Sequence, residues 1–407
     1  MRFDALSSAP YRRFWLGSIA SVGSTQLYFI SKAWLVFELS GSALDLGFLG
    51  AATAVPTIIA TLIGGLVADR INRRSVLILT SGISAVLLLL LGILDASELV
   101  RVWHVLLISS FLGLVQGFDF PARSSIFPAL IDKKQMMSAV SLNSILWQGS
   151  RMILPAIGGF LISITDTSLI FFICGTGFFC MMAVLLTLEV RQDNNTKDTP
   201  WYEFKEGVKF VLHHRLFLTL ILLSWISMFF GTSYVQIMPL FADMLQSGER
   251  GFGLLISATG IGSIIGNLFI SHYQESRKLG ILMFSSAAIA PFCLIGFSLF
   301  AWIFAGKAGV FWMACCFVIL ASALSSVFLV SSMTVLQVKV PDDFRGRVMG
   351  IHSITFSMIS LGGLVAGVIA AKFSAPVAVV IGALVVISSV TLVVLKFSEI
   401  IKLDLNK

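Results

Sequence analysis

The chain has 407 residues, of which 57% are hydrophobic and only 12% charged, with a mean hydropathy of +0.95 and a formal net charge of +7. Soluble domains usually hold ~45–50% apolar residues, so this composition excludes a soluble domain and points to a chain that lives in a membrane. The basic excess needs no nucleic-acid partner, because loops held beside anionic lipid account for it.

A helix needs ~20 apolar residues to cross the ~30 Å hydrocarbon layer, since lipid satisfies no backbone polar group. Runs of that length predict twelve spans, at 13–37, 45–68, 75–95, 102–121, 138–163, 168–190, 216–242, 251–273, 279–303, 309–338, 348–371 and 375–396. The start MRFDALSSAPYRRF has neither an apolar core nor a small-residue cleavage site, so it is not expected to be a cleaved leader. Lys and Arg gather at both termini and in every second connection. Outside that set stand Arg101, Arg250, Lys307 and Lys372 on the opposite side, with Lys32 and Arg151 inside spans. Positive charge stays inside, so both termini are expected in the cytoplasm. The five cysteines all fall in apolar spans without ligand-like spacing and read as core residues, with no metal site or disulfide framework.

The polar stretch RQDNNTKDTPWYEFKEGVKFVLHHR, 191–215, divides six spans from six and predicts two halves, 1–190 and 216–407. In it Trp201, Phe204, Val208 and Val211 recur at helical spacing opposite Glu203, Lys205, Glu206 and Lys209, the pattern of an amphipathic helix at the cytoplasmic membrane surface. The halves also share a weak repeat: LNSILWQGSRMILPAIGG (142–159) superimposes on GIHSITFSMISLGGLVAG (350–367).

Between the second and third spans the chain reads GGLVADRINRR, Gly64 to Arg74. Gly65, Asp69, Arg70, Arg73 and Arg74 resemble the signature G-x3-D-R-x-G-R-R of the major facilitator superfamily, with Asn72 in place of its glycine. Asn tolerates a left-handed backbone better than other non-glycine residues, so the tight turn is expected to survive. GFDFPARSSIFPALI (117–131), SAVSLNS (138–144), EFKEGVKFV (203–211) and PDDFRGRVMG (341–350) are similar to the bacterial branch that includes enterobactin and macrolide exporters. The resemblance runs from Tyr11 to Phe397. It implies an all-α membrane protein of twelve transmembrane helices in two pseudo-symmetric six-helix bundles, working by alternating access. It further implies a cytoplasmic latch in which Asp69 faces the N-terminus of span 11 near Gly346, Arg347 and Val348, with Arg123 sharing the contact. A carboxylate gains there from unpaired N–H groups and the helix dipole. For Arg73 and Arg74 a plain topological role stands beside the latch.

Ionisable groups inside spans are costly and are functional candidates by default. Lys32 lies in the outer third of span 1, Asp119 toward the cytoplasmic end of span 4, and Arg151 at mid-depth in span 5. Asp119 and Arg123 are four apart and can pair on one helix face, as a structural pair or as a group that changes protonation. Around Arg151, Ser150-x3-Leu154-Pro155-x2-Gly158-Gly159 resembles the antiporter motif G-x3-G-P-x2-G-G, so Pro155, Gly158 and Gly159 predict a bent, closely packed helix. The arginine that antiporters carry in span 4 is Gly113 here, which leaves Arg151 or Arg123 to supply that charge. Gln148 in span 5 and Tyr234 and Gln236 in span 7, beside Phe229 and Phe230, complete the candidates for substrate contact or coupling. His352 in span 11 reads as a helix contact or as a group titrating near neutral pH.

The branch resemblance implies a secondary transporter, expected as a monomer, that exports a small organic molecule from a bacterium across its inner membrane; two cations and one acid inside the spans favour an anionic or polyfunctional one such as a siderophore. The proton gradient is its expected energy source and no cofactor is expected. The alternative is a multidrug or macrolide pump whose Phe-rich spans form an adaptable apolar pocket. A membrane sensor would call for an appended domain, and only SEIIKLDLNK follows Phe397. No G-x4-GK[ST], H-E-x-x-H or G-x-S-x-G motif supports an enzyme.

Overall fold

In a computed structural model, residues 4–68, 72–188, 200–273, 279–307 and 309–396 are described. Helix α1 (Ala9–Ser40) begins with Pro10 in its first turn, where a missing N–H costs nothing, and ends where Gly41 turns left-handed at φ 61°. It is followed by α2 (Ala43–Ala68), α3 (Arg73–Ala96), α4 (Val102–Ile126), α5 (Met136–Ile162) and α6 (Thr167–Leu186). The linker contributes α7 (Pro200–His213). The second half holds α8 (Arg215–Ile226), α9 (Met238–Met244), α10 (Gly248–Ser271), α11 (Leu279–Ile303), α12 (Val310–Lys339), α13 (Asp342–Ser353), α14 (Thr355–Lys372) and α15 (Ala375–Lys396). No strand occurs among the described residues. Among the described residues, eleven stretches are long and apolar enough to cross a membrane. Helix α1 has the length, but carries Arg12, Arg13, Lys32 and Glu38.

Contacts group the chain into two compact units, 1–41 with 52–200 and 42–51 with 201–407. In the first unit α6 packs on α3 and α1, and α5 on α1. Helix α5 runs unbroken through the buried Pro155, and Gly158 lets α1 approach: a Cβ there would sit 2.9 Å from Ile30 Cγ2. Gly159 is buried beside it in sequence.

In the second unit α12 packs on α10 and α11. The seventh span is not one helix, as its hydropathy suggested. After α8 the backbone passes through a π-helical turn, Ser227–Gly231, and a 3-10 turn, Ser233–Ile237, before α9 resumes. Two causes are visible. Pro239 has no N–H to give to the carbonyl of Val235. The backbone of neighbouring helices also lies very close: any side chain at Gly362 would strike the Phe229 carbonyl, and at Gly382 a Cβ would be 2.5 Å from the Phe230 carbonyl. The eleventh span is divided as well, into α13 and α14 at Ile354.

Candidate functional site

In the first unit α4 holds the acid. Arg123 Nε donates to Asp119 Oδ2 at 2.9 Å and Nη2 to Oδ1 at 3.4 Å. Thr80 of α3 donates its hydroxyl to Asp119 Oδ1 at 3.0 Å, and Arg123 Nη1 reaches the hydroxyls of Ser21 and Ser18 on α1 at 3.2 and 3.4 Å. Arg123 is 9% exposed. The i,i+4 pairing expected from the sequence is present, and each charge has both its counter-ion and further polar contacts. Such a pair is costly to break, because removing one partner leaves the other charge buried without its counter-ion.

Lys32 is built differently. It is 6% exposed, its Nζ donates to Thr53 Oγ1 of α2 at 3.0 Å and lies 4.8 Å from the Tyr28 ring centroid. Tyr28 is fixed in turn by a 2.8 Å hydrogen bond to Ser109 of α4 and an edge contact with Phe171. No carboxylate among the described residues pairs with this ammonium. An ammonium has three donors, and a hydroxyl and a ring face balance only part of its charge. Arg151 is half-buried on α5, one turn beyond Gln148.

The glycine that replaces the antiporter arginine has a steric reason. A Cβ at Gly113 would lie 2.5 Å from the Thr53 carbonyl, and Thr57 donates its hydroxyl to the Gly113 carbonyl at 3.0 Å. The backbone of α2 fills the space an arginine would need.

In the second unit polar contacts centre on the broken span. Tyr234 shares a 3.3 Å hydroxyl contact with Ser322 of α12, and Gln236 Nε2 donates to Ser360 Oγ of α14 at 2.8 Å. Gln236 is 4% exposed, and a Cβ at Gly363 would touch its Cγ at 2.6 Å. Behind the π turn lies a mostly apolar cavity of about 20 Å³, lined by residues that include Ser227, Met228, Gly231, Pro291, Ser325 and Phe328. The Ser227 hydroxyl finds no hydrogen-bond partner among the described residues.

The transmembrane secretion effector family of major facilitator transporters matches residues 2–406. The chain belongs to that family. This transporter is 27% identical over 369 residues to the uncharacterized MFS-type transporter YfiS of Bacillus subtilis (strain 168), covering 88% of this chain and 85% of the relative. It is 25% identical over 380 residues to the enterobactin exporter EntS of Salmonella choleraesuis (strain SC-B67), covering 89% and 88%. Among solved structures, the nucleoside transporter NupG superposes with TM-score 0.71 at 13% identity, over 96% of this chain and 100% of that one. A bacterial homologue of the human lysosomal transporter Spinster gives TM-score 0.70 at 16% identity, over 98% of both. The fold is that of a major facilitator transporter, a multi-pass inner-membrane protein and not an enzyme.

The transporter's signature loop is used partly in a way its sequence does not announce. Arg74 Nε and Nη2 donate to the Leu185 and Leu186 carbonyls at 2.8 Å each, closing the C-terminus of α6, and Arg73 Nη1 donates to the Ser125 carbonyl at 3.3 Å near the end of α4. Both arginines therefore tie helix ends within the first unit, where unpaired carbonyls and the dipole favour cations. Asn72 is not left-handed: at φ −58° it caps α3, its side chain accepting from the Arg74 N–H at 2.9 Å. The turn does without the signature glycine because the asparagine serves as a helix start. Gly65 lies in the described backbone of α2, whereas Asp69 and Arg70 lie outside the described residues.

The other end of the expected latch is also revised. Helix α13 starts at Asp342, so Gly346, Arg347 and Val348 lie in its second turn, and Asp342 and Asp343 already occupy the first. The dipole acts mainly on that first turn. Arg347 itself pairs with Glu206 of α7 at 2.6 Å. Sequence reasoning placed Glu206 on a solvated face; it missed Thr53, Tyr28 and Ser109 around Lys32, and Ser322 and Ser360 around the broken span. Only the i,i+4 spacing of Tyr28 and Lys32 carried a signal. His352 is 2% exposed with its Nε2 without a hydrogen-bond partner among the described residues.

Proposed function

We propose that this transporter exports a small anionic or polyfunctional organic molecule from the cytoplasm by alternating access, coupled to proton entry, with both termini cytoplasmic. Lys32 carries the reading: a buried ammonium with no described carboxylate beside it calls for an anion during the cycle. Arg151, half-buried on α5, is the second candidate cation at depth in this reading. The name of the EntS relatives supports a siderophore-like molecule. Energetics agree in sign. With the cell interior negative, each exported negative charge gains ~2.3 kcal/mol per 100 mV. Proton entry adds to that drive. Protein and lipid suffice in this reading, with a monomer as the working unit and no cofactor or nucleic acid.

The test uses the purified protein in proteoliposomes, with a catecholate siderophore, a macrolide and a lipophilic cation as probes. Transport of the siderophore that dissipates an imposed pH gradient, and fails in Lys32→Met, is the expected result. Normal siderophore transport by Lys32→Met rejects the anion reading. The paired rings of Phe229 and Phe230 at the broken span, centroids 4.7 Å apart, favour a second reading, a multidrug or macrolide pump with an adaptable apolar pocket. Transport of the macrolide and the cation without the siderophore selects that reading.

A further inference from the structure

The linker helix α7 is packed against α13, 141 residues further along the chain. Glu206 Oε2 accepts from Arg347 Nη1 at 2.6 Å. Gly207 is buried next to it, and a Cβ there would come 2.8 Å from Arg347 Cβ, so only glycine allows α7 this close. One turn on, Phe210 stacks on Phe344 with ring centroids 4.3 Å apart and planes 10° off parallel, and the Arg347 guanidinium lies over the other ring system at 5.4 Å from the Phe344 centroid. Val211 is 4% exposed in a cluster with Phe217, Val348 and Ile351. The amphipathic pattern of α7 thus serves protein packing on this face, while Lys205, Lys209 and Leu212 remain exposed.

The ion pair is partly open to water, Arg347 at 25% and Glu206 at 37% of the side chain, so it adds little to folding. Its contribution is direction. A guanidinium is a planar fork, and here a carboxylate engages one Nη while its central carbon lies over the Phe344 ring. We propose that Glu206 is a positioning residue for Arg347, through which the linker helix sets the cytoplasmic end of the eleventh span. The inference rests on the reading that Arg347 works in the conformational latch. It makes the linker a mechanical part of the transporter: a displacement of α7 is passed to α13 through the Glu206–Arg347 pair and the Phe210–Phe344 stack.

The experiment is a double-mutant cycle in proteoliposomes, with siderophore transport rate and thermal melting read for Glu206→Gln, Arg347→Gln and the double variant. Glu206→Gln is expected to slow transport about fivefold to tenfold without shifting the melting temperature, and to add nothing in the Arg347→Gln background, because it acts through that arginine. Gly207→Leu, which forces α7 away from Arg347, is expected to give the same slowing. Wild-type transport by Glu206→Gln, or additive losses in the double variant, or a loss that follows a lowered melting temperature, overturns the proposal. Asp69→Asn and Arg347→Gln serve as controls for the reading beneath it. If both transport normally, the latch reading fails; if both are impaired while Glu206→Gln is normal, only this proposal fails.

Discussion

The two units solve the problem of polar groups in a membrane by different means. The first keeps charge inside and meets it with side chains, fully for Asp119 with Arg123 and Thr80, and in part for Lys32 with Thr53 and Tyr28. The second places no acid well inside a span and disturbs the backbone instead, through a π turn, a 3-10 turn and two short hydroxyl or amide contacts. The difference is one of kind: fixed charge held by side chains in the first unit, altered backbone geometry in the second.

Gly362→Leu gives the largest expected effect, because the new side chain meets backbone and not a movable side chain. Its cost should exceed the ~1–3 kcal/mol of ordinary overpacking, seen as loss of monodisperse protein on size exclusion. Next comes Arg123→Leu, which leaves Asp119 buried beside an apolar side chain and should lower stability by ~3–5 kcal/mol in thermal melting. Adding Asp119→Asn should recover most of that loss. Lys32→Met sharpens the contrast within the first unit: melting should hold or rise while anion transport disappears. A fall as large as that of Arg123→Leu would show that Lys32 is compensated after all. Ser360→Ala removes the Gln236 contact and should cost about 0.5–1.5 kcal/mol. Smallest is Asn72→Gly, which restores the signature glycine but deletes the cap of α3, at a few tenths of a kcal/mol by melting.

Most of the helix pattern was legible because hydropathy and length suffice to mark a span. The Asp119–Arg123 pair was legible too, since both residues lie on one helix at fixed spacing. What joins different helices was not. The bond from Lys32 to Thr53 depends on the register of α1 against α2, and Glu206 meets Arg347 across two-thirds of the second unit. The broken seventh span left a faint trace in Gly231-Thr232-Ser233 and Pro239, but its decisive partners are glycines on α14 and α15. Gly113 was noticed as a departure from the antiporter pattern, and its meaning came only with the α2 backbone beside it.

The seventh span carries a last consequence for how its residues are to be scanned. A π turn closes i→i+5 and so holds more residues per turn than an α-helix, whereas a 3-10 turn closes i→i+3 and holds fewer. Placed in succession, they shift the helical phase in opposite senses. Residues around Phe229–Ile237 therefore point away from where a wheel of 3.6 residues per turn would put them, while α8 and α9 tend back toward a common phase. A substitution series along this span should show helical periodicity at both ends and lose it in the middle, at the residues most exposed to a change of backbone state.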